Sequence, residues 1–316
     1  MSASRRDFLI AGATGAGGLL LASSVLGCAG SALEPRRFYL PRHRTIAHEI
    51  IYIQSRHESS NPTDEYMLLD MLLEVAAKKV ERSRSLATNE RDEALYSLQK
   101  IDEVLRTCGF TYESVRLLGS GLRKRELNCD GLSAFYISLG EVLDLPIRMV
   151  RAPAHTFVRW HLSEADYINW ETTAGDIRSD EYFVRELKIA PETIGPTALR
   201  SLDVRSNRLA ILANAYVNDG VQWLSENDVD EAIGSFKEAA SRDLHYETPR
   251  YNLGLAYFSK GMLDQSILWC EQVVDLNPDH VKAHAVLAQA YGKQGRAARS
   301  RLHRLRVFEL DPGYYT

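Results

Sequence analysis

Two hydrophobic periods divide this chain. Apolar residues recur every three or four positions over most of it, while a short central stretch alternates instead. Asp64 to about Arg84 carries Met67, Leu68, Met71, Leu72, Val75 and Val80 at helical spacing, and Asp92 to Arg106 repeats the pattern with Leu95, Leu98, Ile101 and Leu105. A third helix is expected from Cys129 to about Leu143, marked by Leu132, Phe135, Tyr136, Leu139, Val142 and Leu143. Asn128 is a good N-cap for it, and Pro146 stops it because proline disfavours a helical predecessor. Ile147–Val150 and His155–Leu162 then read as strands, and the turn Ser163–Asp166 leads into a further strand, Tyr167–Thr172. On the first strand of this hairpin His155, Phe157, Arg159 and His161 share a face, and on the second Tyr167, Asn169 and Glu171 do. The earlier helices are expected to pack on the Cys129 helix and complete an α+β core.

From residue 207 onward the pattern is helical and repeats every 34 residues. Gly220, Gly254 and Ala288 form one column, Trp223, Tyr257 and Tyr291 a second, and Ala232, Ser266 and Ser300 a third. Pro278 and Pro312 close the second and third units, and Leu244 takes that place in the first. This is the tetratricopeptide period, with small residues where helices cross closely and an aromatic plugging between them. About three such repeats, over 206–316, predict an all-α solenoid with a groove for extended peptides or partner helices. In the last helix Ala298, Leu302, Leu305 and Phe308 are expected to turn inward, and Arg296, Arg299, Arg301, Arg304 and Arg306 to form a polar cap. His280 and His284 stand four apart without an evident third ligand and read as structural.

The chemistry-bearing residues lie between Asn128 and Thr173. Cys129 falls in the first turn of its helix, where unpaired N–H groups and the macrodipole stabilise a thiolate. Asp130 opposes that effect. An antiparallel partner strand brings His155 near Glu171 or Asn169. A thiol, an imidazole and a group that fixes the imidazole's tautomer are what thiol-dependent acyl transfer requires. The competing reading of Cys129 is a small buried core residue. Arg116, Arg123, Lys124 and Arg125 form a basic loop before the cysteine, read as a solvated charge run, and Asp176 and Asp180 as surface or turn acids.

Three stretches, GLSAFYISLGEVLDLPIRMV (131–150), PAHTFVRW (153–160) and IDEVLRTCGFTY (101–112), carry a resemblance. With Cys129, His155 and Glu171 they resemble the transglutaminase-like superfamily over about residues 60–185. The likeness extends to a bacterial subgroup whose core is followed by tetratricopeptide repeats. It implies an α+β papain/transglutaminase-like core over 59–195, with Cys129 as nucleophile, His155 as base and Glu171 as orienting acid. Glutamate stands where the family usually has aspartate, and Asn169 on the same face is a reserve orienter. The implied activity is acyl transfer from a protein or peptide carbonyl through a Cys129 thioester, to water or to an amine. The alternative is a non-catalytic scaffold in which the repeats carry the function.

The N-terminus reads as an address. Ser4-Arg5-Arg6-Asp7-Phe8-Leu9-Ile10 resembles a twin-arginine export signal, with Arg5 and Arg6 as its pair, and a weakly apolar run follows from Ala11 to Leu26. Val25-Leu26-Gly27-Cys28 looks like a lipobox, so that 1–27 is a signal peptide and Cys28 the lipidated residue. Residues 28–58 are then a tether, and the protein an extracytoplasmic lipoprotein held at a membrane. With Cys28 lipidated, Cys108, Cys129 and Cys270 remain, an odd set and no disulfide framework. The chain has 316 residues, 45% hydrophobic, and a net charge of −4, which gives no basic footprint for nucleic acid. No glycine-rich phosphate loop, zinc pattern or nucleotide fingerprint occurs, so no cofactor and no metal is expected.

Overall fold

The computed structural model describes residues 44–57, 62–187, 189 and 199–315. Arg5, Arg6 and Cys28 lie outside the described residues. The chain divides into two compact units, up to Ile211 and from Leu212 onward.

In the first unit, α1 (Ile46–Gln54) falls where the tether was expected, and its Ile46, Ala47 and His48 are buried. Its first N–H groups, which have no partner within the helix, are satisfied from elsewhere in the unit. Ile46 N donates to Glu141 at 2.7 Å and Ala47 N to the Ser138 hydroxyl at 3.1 Å. Two long helices follow, α2 (Thr63–Arg84) and α3 (Glu90–Thr107), the second capped by the Asn89 side chain on Asp92 N. The two-residue strand β1 (Thr111–Tyr112) pairs in parallel with β2 (Glu126–Leu127). Between them Leu118–Lys124 forms a short helix, α4, where a basic loop was expected. Its Arg123 pairs with the buried Glu65.

Helix α5 (Cys129–Leu143) is the centre of the unit, buried continuously from Gly131 to Gly140. The Asn128 side chain accepts from Gly131 N at 2.9 Å, and Asp144 ends the helix in the left-handed region at φ 56°. Leu145 N closes the turn onto Gly140 O at 2.9 Å. The sheet follows: β3 (Ile147–Ala152), β4 (His155–His161), β5 (Tyr167–Glu171), β6 (Asp176–Ile177) and, after α6 (Asp180–Glu186), β7 (Arg200–Leu202). All pairings are antiparallel, in the order β6-β5-β4-β3-β7. Val158 pairs with Trp170 and Trp160 with Ile168. Trp170 donates its indole N–H to the Tyr136 hydroxyl of α5 at 2.9 Å, so this set faces the helix. The alternate set, with His155, Phe157, Arg159, Asn169 and Glu171, faces the other way, where Phe183 of α6 stacks on Phe157 with centroids 3.7 Å apart.

The second unit holds three helix pairs: α7 (Val204–Ser225, which begins in the first unit) with α8 (Val229–Arg242), α9 (Glu247–Ser259) with α10 (Leu263–Leu276), and α11 (Val281–Lys293) with α12 (Ala297–Leu310). Three columns at the 34-residue period explain their packing. Gly220 faces the Phe236 ring, and Gly254 faces the Cys270 sulfur. Ser266 donates to Gly254 O at 2.8 Å and Ser300 to Ala288 O at 2.7 Å, which satisfies a buried hydroxyl at each crossing. Asn227, Gly261 and Gly295 turn each pair at positive φ, and the next N–H returns to Trp223, Tyr257 and Tyr291 at 2.9 Å each.

One expectation is reversed. Ala298, Leu302, Leu305 and Phe308 of α12 do not turn inward; all four are exposed. The buried residues are Ser300 and Val307, in the columns of Ser266 and Val273. The repeat register sets the inward face of a solenoid helix, and apolar spacing within one helix does not override it.

Gly254→Ala tests the close crossing. A Cβ there falls inside van der Waals contact of the Cys270 sulfur. The expected loss from overpacking, about 1–3 kcal/mol, outweighs the roughly 1 kcal/mol helix-propensity gain. The melting temperature should drop, and Cys270→Ala in the same chain should restore it.

Candidate active site

Cys129 is the first residue of α5 and half-buried, whereas Cys108 and Cys270 are buried. None of the three is in a disulfide. Helix burial orients this end: with α5 packed on β3 and β4, its N-terminus opens beside the start of β4, where His155 stands. Asp130, the residue after Cys129, accepts a hydrogen bond from the Thr156 hydroxyl, which ties the first turn of α5 to the second residue of β4.

His155 stands between an acid and the sulfur. Its Nε2 lies 2.7 Å from Glu171 Oε2, and Cys129 is near enough to act on the charge of its ring. The pairing register explains the reach. Val158 opposes Trp170, so Glu171 stands across from Phe157 and diagonal to His155 on the same face. Glu171 is held in turn by Thr173, whose N–H and hydroxyl donate to Oε1 at 3.0 and 2.7 Å. Burial pushes the His155 pKa down, but the hydrogen bonds and negative charges of Cys129 and Glu171 overcome it and raise it to about 10. Burial pushes Glu171 up, and the bonds from His155 and Thr173 bring it below its ordinary value. At neutral pH the pair is therefore an imidazolium on a carboxylate.

Asn169, the reserve orienter, is bonded to other partners. Its Oδ1 accepts from Arg159 Nε at 2.7 Å and its Nδ2 donates to Asp180 at 2.6 Å. Arg159 also reaches Asp180 at 2.6 Å, and the Tyr167 hydroxyl donates to the same carboxylate at 2.7 Å. Asp180, read as a turn acid, is thus the hub of a network that neutralises the buried Arg159.

Three contributors were not evident in the sequence pattern. Thr173, two residues after Glu171, makes a local bond from backbone and hydroxyl to that carboxylate. Phe183 stacks 6.1 Å from the His155 ring and shields one side of it. Tyr112 is 54% exposed. Its strand partner Leu127 lies two residues before Cys129. Burial and the charges of Cys129, Glu171 and Asp130 raise its phenol pKa, so a neutral hydroxyl stands at the rim of the group. Only strand pairing brings it there.

Elsewhere, His280 caps α11 by accepting from Ala283 N at 3.0 Å, and His284 bonds Pro278 O and His303 at 2.9 Å each. Among the described residues no group of three or more His, Cys, Asp or Glu is arranged to hold a metal ion. No helix among them is long and apolar enough to cross a membrane.

A family model for the tetratricopeptide repeat matches residues 249–280, which are α9, α10 and the turn after them. The C-terminal helices are repeats of this kind, a scaffold that generally mediates binding to protein partners. No curated protein matches the chain. Among solved structures, MamA aligns with 14% identity over 76% of this chain and 89% of its own, at a TM-score of 0.32. A second MamA crystal form gives 15%, 78%, 92% and 0.34. Menin, in the structure revealing its binding site for Mixed Lineage Leukemia protein, gives 13%, 89%, 86% and 0.39. TM-scores this low leave the architecture to be read from the chain's own elements.

The raised His155 pKa predicts a pH signature in stability. Protonation of His155 favours the folded state below its unfolded value of about 6.5 and ceases to as pH rises through about 10. The depressed Glu171 contributes above its ordinary 4.5 and is lost as pH falls. Urea midpoints of wild type should therefore exceed those of His155→Gln most between about pH 4.5 and 6.5 and converge toward pH 10. A difference independent of pH would contradict the ion pair.

Proposed function

We propose that the first unit is a cysteine-dependent acyl-transfer enzyme of the transglutaminase-like kind, acting on a protein or peptide carbonyl. The observation that carries this reading is His155 held by Glu171 at 2.7 Å and brought beside Cys129, the first residue of α5. With the imidazole protonated, the sulfur acts as thiolate and attacks the carbonyl carbon, and the C=O electron pair moves to oxygen. The helix N-terminus at Cys129 favours that negative charge. Collapse expels the amine, which takes the His155 proton, and leaves a thioester on Cys129. Neutral His155 then removes a proton from water or a second amine as it attacks the thioester, and the thiolate departs. Glu171, clamped by Thr173, keeps the imidazole oriented through both steps. Hydrolysis and transfer differ only in which acceptor enters.

In this reading the repeats recruit the protein that carries the acyl group or a partner of it. The leader with Arg5, Arg6 and Cys28 would export the protein and tether it to a membrane as a lipoprotein. A second reading, a non-catalytic scaffold, draws on the match to the repeats alone.

Iodoacetamide labelling at pH 5.5, read by peptide mass spectrometry, separates the two. An activated Cys129 labels at least tenfold faster than buried Cys108 or than Cys270, whose thiol burial pushes up to about 12. His155→Ala should remove that advantage while Cys270 is unchanged. Equally slow labelling of all three cysteines in the folded protein would leave the scaffold.

A further inference from the structure

Helix α12 carries an apolar face that no described residue covers. Leu302 is 64%, Leu305 55% and Phe308 61% exposed. In the column of Leu305 the earlier repeats hold charges, Lys237 and Glu271, whereas Leu302 follows Gly234 and the exposed Leu268, and Phe308 follows Ala240 and Val274. Contiguous exposed apolar surface of this sort marks an interaction site.

The arrangement of the face is symmetric about Leu305. At 3.6 residues per turn, Leu302 and Phe308 lie about 60° to either side of it. Arg301 and Glu309, of opposite charge, lie about 40° to either side. A two-fold axis through Leu305 and perpendicular to the helix maps each residue onto its counterpart in an antiparallel copy. Leu302 then meets Phe308 of the second copy, Leu305 meets itself, and each Arg301 meets a Glu309. Arg304 and Arg306, the like charges brought nearest each other, project about 100° from the centre and stand at the rim. Arg306 is also paired with Asp279 and, at 3.0 Å, with Glu309.

We propose that α12 is a homodimerisation surface, and that its occupant is α12 of a second copy of this chain, antiparallel across a two-fold axis at Leu305. An isologous contact of this type is self-complementary and closes at two subunits. Complementary charge decides for a second copy: a purely basic helix would suit an anionic surface, whereas Glu309 answers Arg301 within the same face.

Light scattering coupled to gel filtration on the full chain tests this at micromolar concentration. Wild type should elute with the mass of two chains and Leu305→Asp with the mass of one. Arg301→Glu, which sets glutamate against Glu309, should also give one chain. The double variant Arg301→Glu/Glu309→Arg should return to two, a restoration that a folding defect cannot produce. Unchanged circular-dichroism melts accompany each, because the substituted positions are exposed. A wild type of single-chain mass, or a dimer that Leu305→Asp leaves intact, overturns the proposal. So does a monomer that sediments with phosphatidylglycerol vesicles through the same helix, which would make lipid the occupant.

Discussion

Helix α5 is enclosed from Gly131 to Gly140, and an enclosed helix cannot rotate or slide without breaking contacts on several sides at once. Tyr136 receives the Trp170 indole, Ser138 holds the backbone of α1, and Glu141 holds it again one turn on. Each contact fixes the same rigid rod. Its N-terminus is consequently fixed as well, and with it the height of Cys129 above the start of β4.

Charge placement at that point follows from strand register. A buried ion pair is stabilising only when its remaining lone pairs and protons are satisfied. Glu171 meets this condition with Thr173 on one oxygen and His155 on the other. The added methylene of glutamate is taken up by its diagonal, not direct, position across from His155. Arg159 and Asp180 make a second neutral set, with Arg159 four residues along β4 from His155 on the same side of the sheet. Asn169 belongs to that set, which keeps its amide from competing for the imidazole.

The helical repeats obey a different constraint. Within each pair the two helices cross at a small residue and are joined by a left-handed turn, and in the second and third pairs a serine bonds a backbone carbonyl at the crossing, all at one period. Register along the array then governs which side of each helix is covered. Phe308 shows the consequence, since its counterparts Ala240 and Val274 are packed against the following pair while no described residue covers Phe308.

Much of this was legible without coordinates. The helix from Cys129 to Leu143 and the hairpin that carries His155 and Glu171 follow from capping, proline and alternation, which act over a few residues, and the 34-residue columns follow from the repeat period. Four features were not. The burial of α1, expected as tether, depends on Ser138 and Glu141 far along the chain. That His155 bonds Glu171 while the Asn169 amide is taken up by Arg159 and Asp180 depends on strand pairing and on α6. Tyr112 reaches the group only through pairing with Leu127. The outward face of α12 depends on repeat register, and no single helix encodes it. Local free energies set which elements form; long-range packing and pairing decide what each side chain finally touches.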